Sequence, residues 1–265
     1  MQNSFGTTLK EWRGRRRMSQ MDLGLSANIS ARHISFLETG RSRPSQSMVM
    51  MLCDTLDMPV SARNAFLTSA GFAPIYKKRD LSGEDMAHIR AAVSWTLQRH
   101  DPYPAFALDR LWNVVKTNQS AAMMLGGAGL AEGDSLLDAL LDDEVMGRVI
   151  ENHAEVLRAM QIRLRTENEH LGGDDILDHA IEGISRKLEE QFGGGPQHND
   201  GEGPAVIPAV YKMGDQRMSF FSTIAQFGST EDIALSELKI EMLFPSDDGT
   251  KLMLEAMAQQ IAVDN

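Results

Sequence analysis

The sequence predicts two joined modules, an all-helical one over residues 1–76 and a larger α+β one over 84–265 built on an antiparallel sheet of about five strands with helices. Three observations predict this. Residues 7–76 break into short segments of helical apolar spacing separated by serines, glycines and prolines at cap and turn positions. The last third carries strand-like runs, clearest where Leu238, Ile240, Met242 and Phe244 alternate with Lys239, Glu241 and Leu243. Charge divides the same way: residues 1–79 hold twelve Lys/Arg and five Asp/Glu, a net +7, so the remainder must be -18 for the chain to total -11. A length of 265 residues fits about two domains.

In the first module, Leu9 to Arg17 sets Leu9 and Trp12 on one side and the basic run Arg13 to Arg17 elsewhere. Ser19 is an N-cap for a short helix through Leu23, and Gly24, Ala27 and Asn28 mark its exit. Ser30 caps the next helix, Ala31 to Glu38, with Ile34 and Leu37 inward and Gly40 and Pro44 as terminators. Two more helices follow, Gln46 to Leu56 and Val60 to Ala70, the latter closed by Gly71 and Pro74. A capped pair of helices separated by a few residues is the layout of a helix-turn-helix.

The strings Leu9-Lys10-Glu11-Trp12-Arg13, Met18-Ser19-Gln20-Met21-Asp22-Leu23 and Ile29-Ser30-Ala31-Arg32-His33-Ile34-Ser35-Phe36-Leu37-Glu38-Thr39-Gly40-Arg41-Ser42-Arg43-Pro44-Ser45 closely resemble the phage-repressor-like (XRE) helix-turn-helix domains. The resemblance implies double-stranded operator DNA as partner. A recognition helix entering the major groove by its N-terminus presents Ala31, Arg32, His33 and Ser35 to base edges. Arg32 is the expected base reader, since a guanidinium bonds a guanine edge through two parallel hydrogen bonds, and Ala31 suits a thymine methyl. Gln20, Ser30, Arg41 and Arg43 stand where this family grips phosphates. Glu38 is expected to pair with an arginine of its own domain. Arg15 to Arg17 either extend the basic surface or form a solvated face, and Phe36 touches a thymine methyl or a partner subunit.

Residues 77–83 lose apolar periodicity and read as a linker. Helical spacing resumes from Glu84 to His100 with Met86, Ile89, Val93 and Leu97 on one face, until Pro102 and Pro104 stop it. Phe106 to Leu108 and Val114 to Lys116 read as strands, followed by a helix from Asn118 to Leu125. Two amphipathic helices are expected at Asp143 to Asn168 and Asp174 to Phe192. The run Gly193 to Pro204 reads as a flexible loop, ahead of strands over Ala205 to Met213 and Gln216 to Phe227 joined at Gly214-Asp215, a third over 238–244, and a closing helix from Asp247 to Gln260.

The opening strand, turn, strand and helix of this module resemble a PAS fold, and the string Asp101-Pro102-Tyr103-Pro104-Ala105-Phe106-Ala107-Leu108-Asp109-Arg110-Leu111-Trp112-Asn113-Val114-Val115-Lys116-Thr117-Asn118-Gln119-Ser120-Ala121 resembles the ligand-binding domain of the MmyB-like transcription regulators. The resemblance implies a fatty-acid-like ligand. Seventeen methionines supply soft side chains suited to a pocket that repacks around its ligand. Phe106, Trp112, Met123, Met124, Met218, Phe220, Phe221, Ile224, Leu238 and Met242 are the expected lining of one sheet face; a filled core without a cavity is the alternative.

Other functions find little support. Gly126, Gly127 and Gly129 follow a helix and lack the spacing of a dinucleotide fingerprint, no phosphate-loop lysine or nucleophile elbow is present, and the seven histidines show no metal-ligand spacing. The expectation is therefore no enzyme, no cofactor and no metal. One cysteine, Cys53, together with the lack of a signal-like start and of any apolar run near the roughly twenty residues of a membrane span, predicts a cytoplasmic protein away from membranes. The expected molecule is a homodimeric, DNA-binding transcriptional regulator whose second module senses an apolar small molecule and thereby alters operator binding. The competing expectation is a ligand-independent regulator whose second module only dimerises or binds another protein.

Overall fold

The computed structural model describes residues 5–79, 81, 83–193, 206–214, 216–227 and 232–264. Most of the expected loop at 193–204, Ala205 of the next strand and Asp215 of the expected hairpin turn lie outside the described residues. The chain forms two units: 1–79 with 166–174 and 228–236, and 80–165 with 175–227 and 237–265.

The first unit holds α1 (Phe5–Arg15), α2 (Gln20–Ser26), α3 (Ala31–Glu38), α4 (Gln46–Thr55) and α5 (Val60–Ser69), and later in the chain a one-turn helix at Ile233–Ser236. Ser19, Ser30 and Ser45 each accept a hydrogen bond from the backbone amide three residues on, satisfying a donor that the first helical turn would otherwise leave orphaned. Asp22 returns the bond to the Ser19 amide and completes a capping box on α2. Gly24 lets α2 and α3 approach, because a Cβ there would stand 2.8 Å from the Ile29 carbonyl oxygen. Leu9, Leu23, Ile34, Leu37, Leu52, Leu56 and Phe66 are buried together at the centre of the unit.

In the second unit β1 (Ala105–Leu108), β2 (Val114–Thr117), β3 (Ala209–Met213), β4 (Gln216–Gln226) and β5 (Lys239–Pro245) form one sheet in the order β2-β1-β5-β4-β3, antiparallel throughout. α6 (Ala87–Arg99) covers one face, its Val93 and Leu97 packing on Ala105, Ala107, Leu238 and Ile240. α7 (Gln119–Gly127), α8 (Leu136–Leu141), α9 (His153–Leu171) and α10 (Asp175–Phe192) follow in sequence, and α12 (Asp248–Asp264) ends the chain, with α11 the one-turn helix of the first unit.

Buried Asn118 fastens the start of α7. Its Oδ1 accepts from the amides of Ala105 and Ala121 at 3.0 and 2.9 Å, and its Nδ2 donates to the carbonyls of Leu97 and Tyr103.

The expected helix over Asp143 to Asn168 is interrupted. A five-residue turn at Asp143–Gly147 leads to Ile150 and Glu151, whose backbone meets the free edge of β3, and helix resumes only at His153. The Glu151 amide donates to the Val210 carbonyl at 2.7 Å, while the Asn152 side chain donates to Pro208 and accepts from the Val210 amide. These sheet-edge bonds replace intrahelical ones. α8 was not expected either; its six residues are too few for a periodic signal.

Candidate functional site

α3 carries the residues expected to read DNA. Arg32 is exposed, and its guanidinium carbon lies 5.2 Å from the centroid of the half-buried Phe36 ring, one helical turn on. Arg41, in the turn after α3, places its guanidinium 6.0 Å from the same ring, and Arg43 is exposed beside it. Ser30 uses an Oγ lone pair to cap α3, which leaves its hydroxyl proton available to a phosphate. Ala31 and Ser35 are half-buried on the helix.

Two expected contacts are placed differently. Nε2 of His33 is buried and has no hydrogen-bond partner among the described residues, so that nitrogen is turned away from solvent. Gln20, half-buried, donates to Glu38 Oε2 at 2.7 Å, which commits one of its amide hydrogens to its own unit. Within the basic run, Arg13 pairs with Glu38, and Arg16 donates to the carbonyls of Leu56 and Asp57 at the end of α4, so both are structural. The expected pairing of Glu38 with an arginine of its own domain is met by Arg13; that Gln20, 18 positions away, shares the same carboxylate is not visible in a sequence.

The second unit contains a cavity of about 960 Å³ against the sheet face opposite α6. Phe106 of β1, Tyr211 of β3, Phe220 of β4 and Leu243 of β5 line it, with Leu140, Met146, Ile150, Val156, Met160 and Leu188 on the other sides. The volume is at the upper end of small-molecule sites.

Trp112, fully buried, forms part of the wall. The Asp109 carboxylate builds the loop that presents it: Oδ1 accepts from the amides of Leu111 and Asn113 at 2.8 and 2.9 Å, which holds Trp112 in a left-handed conformation at φ +65. Arg163 lies over the indole at 5.6 Å and pairs with Glu241 at 3.2 Å; Lys239, also buried, sits 4.1 Å from the indole centroid. Burial raises the Tyr211 phenol above its ordinary value, and the Glu241 charge adds to the effect. Arg158 and Arg165 also line the cavity, and neither pairs with a carboxylate among the described residues.

Of the expected pocket residues, Phe106, Trp112, Met124, Phe220 and Phe221 line this cavity, the Phe221 ring stacking on Phe244 at 5.4 Å. Met123 and Met218 line a second, smaller space of about 110 Å³ with Leu254 and Met257, and Met124 and Phe220 border both. Leu238 and Met242 belong to the opposite face, under α6. Ile224 pairs with Glu241 across the strands but is not part of the lining. Sequence reasoning assigned the pocket to the more apolar face of β5, and that face is the solidly packed one. The cavity face tolerates Glu241 because Arg163 neutralises it. Tyr211, Arg158, Arg163 and the apolar residues of α9 and α10 were missed, because helical periodicity shows which face is buried and not what it is buried against.

A basic helix-turn-helix unit in one chain with a ligand-sized, predominantly apolar cavity defines a ligand-responsive transcription regulator. The model of the MmyB-like transcription regulator ligand binding domain matches residues 89–257, and that of a helix-turn-helix domain matches residues 4–66. The chain belongs to the MmyB-like transcription regulators. No curated protein matches it. No helix among the described residues is long and apolar enough to cross a membrane.

Proposed function

We propose that this regulator is a cytoplasmic homodimer that binds operator DNA through α3 and senses an elongated, apolar molecule with an anionic end, of the fatty-acid type, in the cavity of its second unit. The cavity of about 960 Å³ carries this reading, with its aromatic and aliphatic walls and the arginines at positions 158 and 165. An acyl chain replaces water against the apolar walls, and a guanidinium meets the carboxylate. An antiparallel five-stranded sheet with the cavity on one face supports PAS-like sensing over a dimerisation scaffold, which needs no such space. The role is one of binding and assigns the chain no catalytic step. Each protomer offers one recognition helix, so a dimer addresses two half-sites about one helical turn apart.

The test is binding of dansyl-undecanoic acid to the full-length protein, followed by its fluorescence. Saturable binding that tetradecanoic acid displaces, and its methyl ester displaces less well, is the expected result. No saturable binding, or equal displacement by acid and ester, contradicts the fatty-acid reading.

A further inference from the structure

We propose that Phe36 is a positioning residue for DNA recognition: its ring holds the guanidinium groups of Arg32 and Arg41 in the arrangement in which they meet the duplex. The proposal rests on Arg32 as base reader and Arg41 as phosphate contact. Phe36 follows Arg32 by four residues on the same side of α3, and the two guanidinium carbons stand 5.2 and 6.0 Å from its centroid. The turn that delivers Arg41 is itself tied to this residue, since the amides of Arg41 and Ser42 both donate to the Phe36 carbonyl, at 2.8 and 3.2 Å.

Phe36 is half-buried and takes no part in the apolar core of its unit, which is built from Ile34 and Leu37 on the inward side of the same helix. Its aromatic character is therefore not explained by packing. A free exposed arginine populates many rotamers and loses them on binding. A flat guanidinium resting on an aromatic face has already lost part of that freedom, so its hydrogen-bonding fork reaches the DNA in fewer arrangements. One ring shared by two arginines also couples base reading to backbone grip.

The experiment uses full-length protein and an operator selected from a random DNA library by the wild type. Affinity is measured for that operator and for its single-base variants in Phe36→Leu, Phe36→Met, Phe36→Tyr and Arg32→Ala proteins. Ordering a rotamer-rich side chain on binding costs roughly two- to tenfold in affinity, of which the ring removes part, so its loss at both arginines is expected to weaken binding about two- to tenfold. Phe36→Leu and Phe36→Met should relax preference at the base pair that Arg32→Ala relaxes, add no further relaxation in the Arg32→Ala background, and flatten the salt dependence through Arg41. Phe36→Tyr should restore all three.

Wild-type preference in both aliphatic variants, while Arg32→Ala is relaxed, overturns the proposal alone. Relaxation at a different base pair, unaffected by the Arg32 substitution, overturns it in favour of direct contact between ring and base. An Arg32→Ala protein with unchanged preference overturns both the proposal and the base-reading assignment it rests on.

Discussion

The guanidinium of Arg13 grips the carboxylate of Glu38 with two hydrogen bonds, Nε to Oε1 at 2.6 Å and Nη2 to Oε2 at 3.1 Å, and so ties the first helix to the end of the recognition helix. Gln20 of α2 donates to the same carboxylate, which makes Glu38 the junction of three helices. The side chains are only 14% and 4% exposed.

Removing one member strands the other, so Glu38→Ala is expected to destabilise the protein by roughly 2–4 kcal/mol. A double-mutant cycle with Arg13→Met, followed by urea unfolding, checks this. The double variant should be clearly less destabilised than the sum of the two single ones. Additive losses would mean that the pair contributes nothing as a pair.

The same carboxylate sets an acid sensitivity. Burial pulls Glu38 toward protonation, but the hydrogen bonds from Arg13 and Gln20 and the charges of Arg13 and Lys10 outweigh it and hold its pKa below the ordinary 4.5. As pH falls, the unfolded chain takes up this proton before the folded one does. The stabilisation is thus complete above the ordinary value and lost as pH drops through the folded value. Denaturant unfolding from about pH 6 to about pH 3 should show wild-type stability falling more steeply than that of Glu38→Gln. Parallel slopes would contradict it.

Arg32 and Arg43 are both exposed cations, yet they have different expected roles. Arg32→Ala should cost about 1–3 kcal/mol at one base pair and relax preference there, while Arg43→Ala should weaken binding to all sequences alike and lower the salt slope by about one. Titrations of the selected operator and its variants at two salt concentrations separate them. A uniform loss from Arg32→Ala would remove it from base reading.

Ala159 of α9 lines the large cavity and is half-buried. Ala159→Phe should fill part of the space, change folding stability by no more than about 1–2 kcal/mol, and weaken dansyl-undecanoic acid at least tenfold. Fluorescence titration beside thermal unfolding checks both. Undiminished binding would place the probe elsewhere.

The legible parts of this molecule were those set by local chemistry. Ser19 and Ser30 announced helix starts, Ile34 and Leu37 the inward face of α3, and the alternation around Lys239 and Glu241 a strand. What escaped depends on partners distant in sequence. Glu241 belongs to the cavity wall because Arg163, 78 positions away, neutralises it. The helix expected across residues 143–168 breaks where the edge of β3 offers Val210 to Glu151. Period-two spacing gave β5 two faces, and only the packing of α6 decided that Leu238 and Met242 lie away from the cavity.

We propose that occupancy of the cavity changes the hold of α3 on DNA, the coupling that a ligand-responsive regulator requires. Fluorescence anisotropy of the labelled operator, titrated with full-length protein in the absence and presence of saturating dansyl-undecanoic acid, measures it directly. The prediction is an affinity change of at least about fivefold, the lower range of allosteric coupling, which Ala159→Phe abolishes while keeping unliganded DNA binding. Identical affinity with the probe demonstrably bound in the cavity would contradict it.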